Sequence, residues 1–424
     1  MRLMLKIVYP ICCGIDVHKK FVIATIATTN DKNVTSYQTR RFNTFKNDLI
    51  ALNNWLVENK CKDVCMESTG KYWIPVFNVL EDFCTITLAN PRYVKNIPGK
   101  KTDKRDSIWL ADLHKHALVK GSFIPSKPIR ELRDLIRYKS KLTNVSSSEK
   151  NRVQNSLTVS NIMLANVVSD TFGKSASSII KHMIENPDII DFDYSSMLHK
   201  SLKKKSDEIE QAVAGKFSKE QAAKLSVCYE HYNSVEKCIE ILEATILELS
   251  LPFKEQIDII ATLPGIKQAS ATAILSEIGT DMSVFTSDKH LCSWAGLTPQ
   301  SNESAGKKKS VRISRAGVYI KPLLVQCANA AVKDKSCTVF KNRYEAIKKR
   351  RGHKRAIIAT ARMILTCIYH MLSKNEPFNP LLYDDNAKSK KRNQQDSLSI
   401  EQAIAFLQAN GYTVNISDLV AITN

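Results

Sequence analysis

The alternation of apolar and polar positions separates a first part with short strands from a remainder with long helices. Residues 11–29 are rich in β-branched and apolar side chains and predict a strand hairpin, and residues 34–42 alternate as a further strand. Apolar residues at helical spacing predict a helix over 45–59. Short apolar runs over 63–66 and 85–89 predict two more strands.

Two further helices are predicted in this part, one beginning after Ser68-Thr69-Gly70 and one over residues 104–118. Strands that come first and then alternate with helices are typical of an α/β domain. We therefore predict an α/β domain over residues 1–125.

Residues 126–250 lose the strand pattern and become helical. Apolar side chains recur there at spacings of three and four: Leu225, Cys228, Tyr232, Val235, Ile239, Leu242, Ile246 and Leu249. This stripe covers about three heptads, so it predicts a helical hairpin or coiled coil that spaces domains or mediates self-association. A plain helical bundle is an equal alternative.

A third, mainly helical domain is predicted over residues 251–375. Leu263-Pro264-Gly265-Ile266, followed by an Ala-rich helix, resembles a helix-hairpin-helix, in which Gly265 lets backbone N–H groups approach a phosphate. A tight turn between two helices explains the same residues. Residues 376–424 contain a charged run from Lys388 to Arg392 and predict a loosely attached tail that ends in one small helix.

Charge and cysteine usage narrow the class of protein. Lys and Arg number 62 against 42 Asp and Glu, and the formal net charge of +20 attracts polyanions, of which nucleic acid is the commonest. An anionic membrane competes as partner, but we find neither an apolar run of about 18 residues nor a signal-peptide pattern. The 11 cysteines form no CxxC pair, which predicts buried free thiols in a reducing cytoplasm rather than a zinc site.

Four carboxylates form a candidate metal site. Asp16 lies within a predicted strand, Glu67 ends a second one, and Asp103 and Asp106 open a helix three residues apart, on one face. Carboxylate oxygens suit Mg²⁺ or Mn²⁺, and such sites carry out phosphoryl transfer. Each acid taken alone is explained equally well as a solvated surface residue or a helix N-cap.

A basic segment in the C-terminal half forms a second candidate site. Between Gly306 and Arg355 there are 16 Lys and Arg against two acids, which is the composition of a phosphate-binding surface. Residues 348–351 could instead be a solvated helix face.

Ser304-Ala305-Gly306 predicts a flexible small-residue loop, followed at once by Lys307, Lys308 and Lys309. A hydroxyl among cations can attack a phosphodiester, because the cations stabilise the alkoxide and the developing phosphorane charge. Most loop serines, however, only form hydrogen bonds.

Three segments of the first domain carry a family resemblance: GIDVHKK, MESTGKYW and NPRYVKNIPGKKTDKRDSIWLADL. Together they resemble the N-terminal domain of the DEDD transposases known as the IS one-ten group of insertion sequences. That domain is similar in fold to the RuvC Holliday-junction resolvase, which has a ribonuclease-H-like sheet. The resemblance implies that the D-E-D-D residues are the four carboxylates named above. It further implies DNA-phosphate contacts for Lys101, Lys104 and Arg105. The ordinary explanation of those cations is that they balance the charge of the neighbouring acids.

The C-terminal half resembles the second domain of the same family through GLTP, a Ser-x-Gly step and RISRAG. The resemblance implies that Ser304 attacks DNA and forms a covalent phosphoserine, with Ser301, Ser310 and Ser314 as alternatives. It also implies that the basic loop, including Arg312 and Arg315, contacts DNA. The sequence departs from the common S-S-G-G string, because Glu303 precedes the serine and Ala305 stands for the first glycine.

The resemblance covers residues 11–375 and implies a transposase or recombinase that moves its own insertion sequence. It implies an element-encoded structured guide RNA, Mg²⁺ or Mn²⁺, and a dimer or tetramer in the cytoplasm, associated with the nucleoid and not with membrane. Three alternatives remain open. They are a purely metal-dependent RuvC-like nuclease with a structural Ser304, an inactive nucleic-acid-binding relative, and a DDE transposase whose last acid is Glu131.

Overall fold

The computed structural model describes eight stretches of the chain: residues 5–68, 70–94, 102–186, 192–299, 302–304, 307–310, 312–383 and 400–411. The chain divides into two compact units, Met1–Ile124 and Pro125–Asn424. Each unit is described by itself below.

The N-terminal unit contains one five-stranded sheet. Its strands are β1 (Ile11–Val17), β2 (Phe21–Thr29), β3 (Thr35–Asn43), β4 (Asp63–Glu67) and β5 (Thr85–Ala89). Its helices are α1 (Lys46–Glu58), α2 (Trp73–Leu80), α3 (Pro91–Val94) and α4 (Asp103–Lys115). The strand order is β3-β2-β1-β4-β5. Strand β2 is antiparallel to both of its neighbours, β1 and β3, whereas β4 is parallel to β1 and β5 is parallel to β4. The predicted α/β architecture is confirmed.

The two faces of the sheet differ because side chains alternate along each strand. Ile15 of β1 and Met66 of β4 are fully buried in a core cluster with Leu52 of α1 and Leu80 of α2. The intervening residues lie on the opposite face, where Cys12 clusters with Ala111 of α4. Alternation therefore also places Asp16 and Glu67 on the face that α4 covers.

In its described residues the C-terminal unit is helical apart from one small hairpin. In chain order its helices are α5 (Lys127–Val159), α6 (Leu164–Val167), α7 (Lys174–Glu185), α8 (Ser206–Ala212), α9 (Lys219–Ser250), α10 (Lys254–Ala261), α11 (Gln268–Ile278), α12 (Asp288–Trp294), α13 (Ile320–Lys333), α14 (Val339–Arg351), α15 (His353–Lys374) and α16 (Ile400–Ala409). The hairpin is β6 (Asn302–Ser304) with β7 (Lys307–Ser310). Short 3-10 helices span Tyr194–Met197, Lys200–Lys205, Leu251–Phe253, Met282–Val284 and Pro380–Leu382.

Helices α5 and α9 pack along each other as a long helical hairpin. The apolar stripe predicted from the sequence is its contact side: Leu225 and Val235 are buried, whereas Val227 and Ile241 on the other side are exposed. Helices α6–α8 lie at the far end and share a separate core with the last turns of α5 and the first turns of α9. The helical hairpin is confirmed, and its role in self-association stays a prediction.

A buried ion pair joins α5 to α11 at the near end of the hairpin. Arg137 donates two hydrogen bonds of 2.7 Å to the carboxylate of Glu277, which is 4% exposed. Arg133 donates to the Ser276 and Glu277 carbonyls at the last turn of α11. Removing Arg137 would leave the buried Glu277 carboxylate without its partner and destabilise the protein. The contact therefore fixes the hairpin to the helices that follow it.

The turn between α10 and α11 contains Gly265 with φ +79°. A Cβ at this position would lie 2.4 Å from the Ala331 backbone nitrogen of α13. The glycine is thus required for packing within the unit, and its approach to a phosphate stays a prediction.

One helix of the described residues, α15, is long and apolar enough to cross a membrane by length and composition, and 56% of that window is buried inside the protein. Ala356, Ile364 and Ile368 are among its fully buried residues. A core helix of this length meets the same criterion, and α15 packs against α12, α13 and α14.

Candidate metal centre and serine hairpin

Helix α4 lies in backbone contact with the middle of β1. A Cβ added to Gly14 would come within 2.2 Å of the Ser107 carbonyl oxygen and 2.4 Å of the Ala111 nitrogen. No side chain other than hydrogen fits between the two elements at this separation. Gly14 thereby sets how closely the start of α4 approaches Asp16, two residues further along β1.

A chain of buried hydroxyls fixes the rotation of α4 on the sheet. The Oγ atom of Ser107, which is fully buried, lies 2.7 Å from Thr25 Oγ1 of β2 and donates to the Lys104 carbonyl. Thr25 Oγ1 lies 2.9 Å from Thr39 Oγ1 of β3. Because buried hydroxyls without partners are costly, these contacts favour one orientation of the helix. That orientation presents the first turn of α4 to the end of β1.

Three ligand atoms converge at this place. Asp16 Oδ2 lies 3.1 Å from His18 Nε2, and the same nitrogen lies 3.5 Å from Asp103 Oδ2. The ligand atoms of Asp16, His18 and Asp103 all lie within 4.8 Å of one another. Of the four carboxylates predicted from the sequence, the structure brings Asp16 and Asp103 together through His18.

Asp16 carries a poorly solvated charge. Burial raises the pKa of its carboxyl, and the negative charges of Asp103 and Asp106 raise it further, whereas His18 lowers it through its charge and its hydrogen bond. The side chain of Asp16 is only 11% exposed. A carboxylate in this environment gains free energy from a neighbouring cation.

The other two predicted acids lie nearby. Asp106 is in the first turn of α4 and is close enough to Asp16 to affect its pKa. Glu67 ends β4, one position beyond the Ile15–Met66 pair of the parallel ladder. Glu67 and Asp106 are not among the residues whose ligand atoms meet within 4.8 Å in the described part of the chain.

The donor set fits a divalent cation. Two carboxylate oxygens and one imidazole nitrogen suit Mn²⁺, and carboxylates with water suit Mg²⁺. Asp103 and Asp106 are also explained in part by local structure, because acids in the first turn stabilise α4 and Thr102 caps it through the Arg105 N–H.

His18 was not predicted as a site residue from the sequence. The signal available was its place in GIDVHKK, two residues after Asp16 and just beyond the end of β1. Alternation carries Asp16 and His18 to the same side of the strand. Its proximity to Asp103, 85 positions later in the chain, is visible only in the fold.

The cations predicted to meet phosphate are partly described. Lys104 and Arg105 are exposed in the first turn of α4, and Lys101 lies outside the described residues. Their contact with nucleic acid stays a prediction.

Ser304 is the last residue of β6 and pairs with Lys307 at the start of β7, with a register irregularity at Asn302 and Glu303. Of the flexible loop predicted over residues 304–306, Ser304 lies in a strand, and Ala305 and Gly306 lie outside the described residues. The lysine-rich strand β7 was not predicted, because it lacks the apolar alternation by which strands are predicted. Lys308 and Lys309 also belong to β7, and Arg312 and Arg315 beyond it are exposed.

The base of this hairpin is fixed by two glycine turns in backbone contact. A Cβ on Gly296 (φ +70°) would lie 2.4 Å from the Ala316 oxygen, and one on Gly317 (φ +67°) 2.1 Å from the Ala295 oxygen. Pro299 and Ile313 form a bridge above them. We call residues 295–317 the serine hairpin. Its two ends are held together by these backbone contacts.

Lys321 of α13 strengthens that base. Its Nζ donates to the carbonyls of Ser314 and Ala316 at 2.7 and 2.9 Å, and burial lowers its pKa. Ser314 Oγ accepts a hydrogen bond from the Ala316 N–H, which gives this alternative nucleophile a structural role. Of the other two, Ser310 ends β7 and Ser301 lies outside the described residues.

Comparison with known protein families gives matches in both halves of the chain. A DEDD transposase model of the IS110 group matches residues 13–162. A second model, described as the transposase IS116/IS110/IS902 family, matches residues 257–345. The first match includes the metal-centre residues, and the second includes the serine hairpin.

Two curated relatives are pilin gene-inverting proteins, one from Moraxella bovis and one from Moraxella lacunata. Each is 33% identical over 134 residues, which make up 30% of this chain and 39% of the relative. The match thus covers well under two thirds of either relative. Since the two family matches together span more than half of the sequence and contain both candidate sites, the chain belongs to the IS110 family of transposases.

Proposed function

We propose that this protein is a recombinase that cuts and rejoins DNA to move its own insertion sequence. The observation that carries the proposal is the convergence of Asp16, His18 and Asp103 at the end of β1, in a protein of the IS110 family. A weakly solvated carboxylate beside a second one is the arrangement that binds a divalent metal for phosphoryl transfer.

The N-terminal unit is proposed to have a RuvC-like fold. Its sheet order, with three antiparallel strands followed by two parallel ones, supports this. Asp16, Glu67, Asp103 and Asp106 are proposed to hold Mg²⁺, with His18 positioned between two of them. Bound there, the ion would stabilise the negative charge that develops on the reacting phosphate.

Ser304 is proposed as the nucleophile. Its Oγ forms a bond to phosphorus as the bond from phosphorus to one strand end breaks. The serine proton passes to solvent, and the departing oxygen takes up a proton. The serine hairpin supports this role, because its base is held by close backbone contacts and by Lys321, which reduces the entropy lost on positioning the hydroxyl.

Trapping the covalent intermediate tests the nucleophile. A protein–DNA adduct is expected with the unchanged protein and with Ser310→Ala, and none with Ser304→Ala. A purely metal-dependent nuclease would form no adduct in any variant and would still cleave DNA after Ser304→Ala. One observation favours the metal-dependent nuclease: Asp16, His18 and Asp103 all belong to the N-terminal unit.

The protein is further proposed to bind an element-encoded guide RNA, to form a homo-oligomer, and to act at the nucleoid in the cytoplasm. The formal net charge of +20 supports a partner recognised through its phosphate backbone. The name of the two Moraxella relatives describes inversion of a DNA segment, which supports recombination as the reaction class. The DNA flanking the gene should contain a noncoding region that folds into hairpins and matches both the element ends and the insertion site. Flanks without such a region would contradict the guide RNA.

A further inference from the structure

A strongly cationic exposed surface of the C-terminal unit is the turn between α14 and α15. We define the α14–α15 corner as residues 348–355, in which six of eight residues are Lys or Arg and none is acidic or large and apolar. All eight are exposed. The nearest acid before it, Glu345, pairs with Lys348 at 3.6 Å.

The cations are concentrated at two helix ends that one residue brings together. Gly352 has φ +77°, and nothing lies within 4 Å of a Cβ built on it, so the chain reverses there in open surroundings. Cations in the last turn of α14 are favourable to the helix dipole. Lys354 and Arg355 in the first turn of α15 are unfavourable, and that turn contains no acid. The α15 end of the corner therefore holds positive charge that its helix does not offset.

The backbone of the corner is held firmly. Phe340 and Tyr344 of α14 are buried, and the Tyr344 hydroxyl lies 2.8 Å from His353 Nδ1. Helices α14 and α15 pack on each other and on α13, which follows the serine hairpin directly. A rigid charged surface loses little conformational entropy when it binds a polyanion.

The chemistry of the corner selects its partner. A membrane-binding helix needs large apolar side chains on its lower face, and the corner has none. The centre of a protein–protein interface is also apolar, and the corner has no large apolar side chain to supply one. Neighbouring exposed Lys and Arg without base-reading amides suit contacts to the phosphates of a nucleic-acid backbone, which carry no sequence information.

We infer that the α14–α15 corner is a sequence-independent binding site for the phosphate backbone of the duplex DNA on which the protein acts. This site rests on the proposed function for its biological setting, but it is a separate surface from the metal centre and from the hairpin. It contacts the DNA flanking the reacting strand and sets affinity and salt dependence rather than target choice.

Fluorescence anisotropy with a labelled duplex of arbitrary sequence, in EDTA, tests the inference without any catalysis. The variant is Lys349→Gln with Arg350→Gln, which leaves the Lys348–Glu345 pair intact. Each lost phosphate contact is expected to reduce the slope of log Kd against log salt by about 1, so the double variant should lose about 2. Its affinity should fall roughly tenfold at about 100 mM salt, and equally for unrelated sequences.

The matched control is Lys224→Gln with Lys237→Gln, which removes the same charge from exposed positions of α9 in the same unit. It should leave the slope unchanged. A second variant, Lys354→Gln with Arg355→Gln, should repeat the loss from the other helix. The swap Lys349→Arg with Arg350→Lys should restore binding, which separates charge from folding.

An unchanged slope in both corner variants would overturn the inference, as would an equal loss in the α9 control. Weakened binding to an RNA duplex with unchanged binding to DNA would also overturn it. If the unchanged protein binds DNA but forms no covalent adduct, the serine mechanism fails and the corner stands. If the unchanged protein binds no DNA at all, both fail.

Discussion

At the scale of single residues, Asp16 is the central acid of the candidate metal site in the N-terminal unit. It is nearly buried, it faces two other carboxylates, and its pKa is raised by burial first and by those charges second. The free energy of this arrangement improves when a cation is bound, and the apo protein stores an unfavourable charge interaction.

Replacing Asp16 by Asn is therefore expected to abolish stabilisation by Mn²⁺. In the unchanged protein, Mn²⁺ at about 100 times its Kd should raise the free energy of unfolding by about 2.7 kcal/mol, and the variant should show no such gain in a thermal melt. Without metal the variant should melt no earlier than the unchanged protein, since it loses a buried charge. Asp63→Asn, at the other end of β4, is the control that keeps the metal response. A full response in the Asp16 variant would remove this residue from the metal site.

His114 makes the unit sensitive to acid. It lies buried in α4, stacked on Tyr9, and burial lowers its pKa from 6.5 to about 4. The unfolded chain then binds the proton more readily, so the contribution to stability is complete above pH 6.5 and is lost as the pH falls toward 4. The expected loss from neutral pH to about pH 5 is about 2 kcal/mol.

Urea unfolding at the two pH values measures this loss. His114→Gln should reduce the difference by about 2 kcal/mol, and the exposed His199→Gln should leave it unchanged. An identical pH dependence in the His114 variant would show that other groups cause the acid lability.

At the scale of elements, the contact of α4 with β1 decides whether a metal centre exists at all. Gly14→Ala is expected to displace α4, because the new Cβ would overlap two backbone atoms at 2.2 and 2.4 Å. We expect a loss of about 1–3 kcal/mol in stability together with loss of Mn²⁺ binding. Gly121→Ala, where the nearest atom is 3.5 Å away, should be nearly neutral in both measurements. Retained Mn²⁺ affinity in the Gly14 variant would contradict the role given to this contact.

The serine hairpin depends on its glycine base in the same way. Gly317 and Gly411 both have positive φ, but a Cβ would lie 2.1 Å from the Ala295 oxygen at the first and in open space at the second. Alanine at either position costs about 1 kcal/mol through φ alone. Only Gly317→Ala should also abolish adduct formation, measured by denaturing gel. Equal effects of both variants would mean that the base does not position Ser304.

At the scale of the whole molecule, the metal centre and Ser304 belong to different units of the chain. If the active site is shared between subunits, mixing Asp16→Asn protein with Ser304→Ala protein should restore recombination. A mixed dimer then contains one site in which both groups are intact. Either variant alone should be inactive, and an inactive mixture would indicate that each subunit supplies both groups to its own site.

The sequence by itself determined much of the fold. The five strands of the N-terminal unit, the helices between them and the stripe of α9 were predictable, because each depends on the spacing of neighbouring residues. The family could be inferred because its motifs are local strings around Asp16, Glu67 and Ser304. The hairpin of β6 and β7 escaped prediction because its residues are mostly charged or small.

Only the tertiary structure decided which acids meet. Sequence spacing placed the four carboxylates on equal terms, whereas the fold joins Asp16 to Asp103 through His18 and places Glu67 at the end of the neighbouring strand β4. The reason is that this proximity depends on Gly14 and Ser107, which fix the separation and rotation of α4 on the sheet. Local patterns determine elements, but the distance between elements far apart in sequence comes from packing, which no local pattern contains.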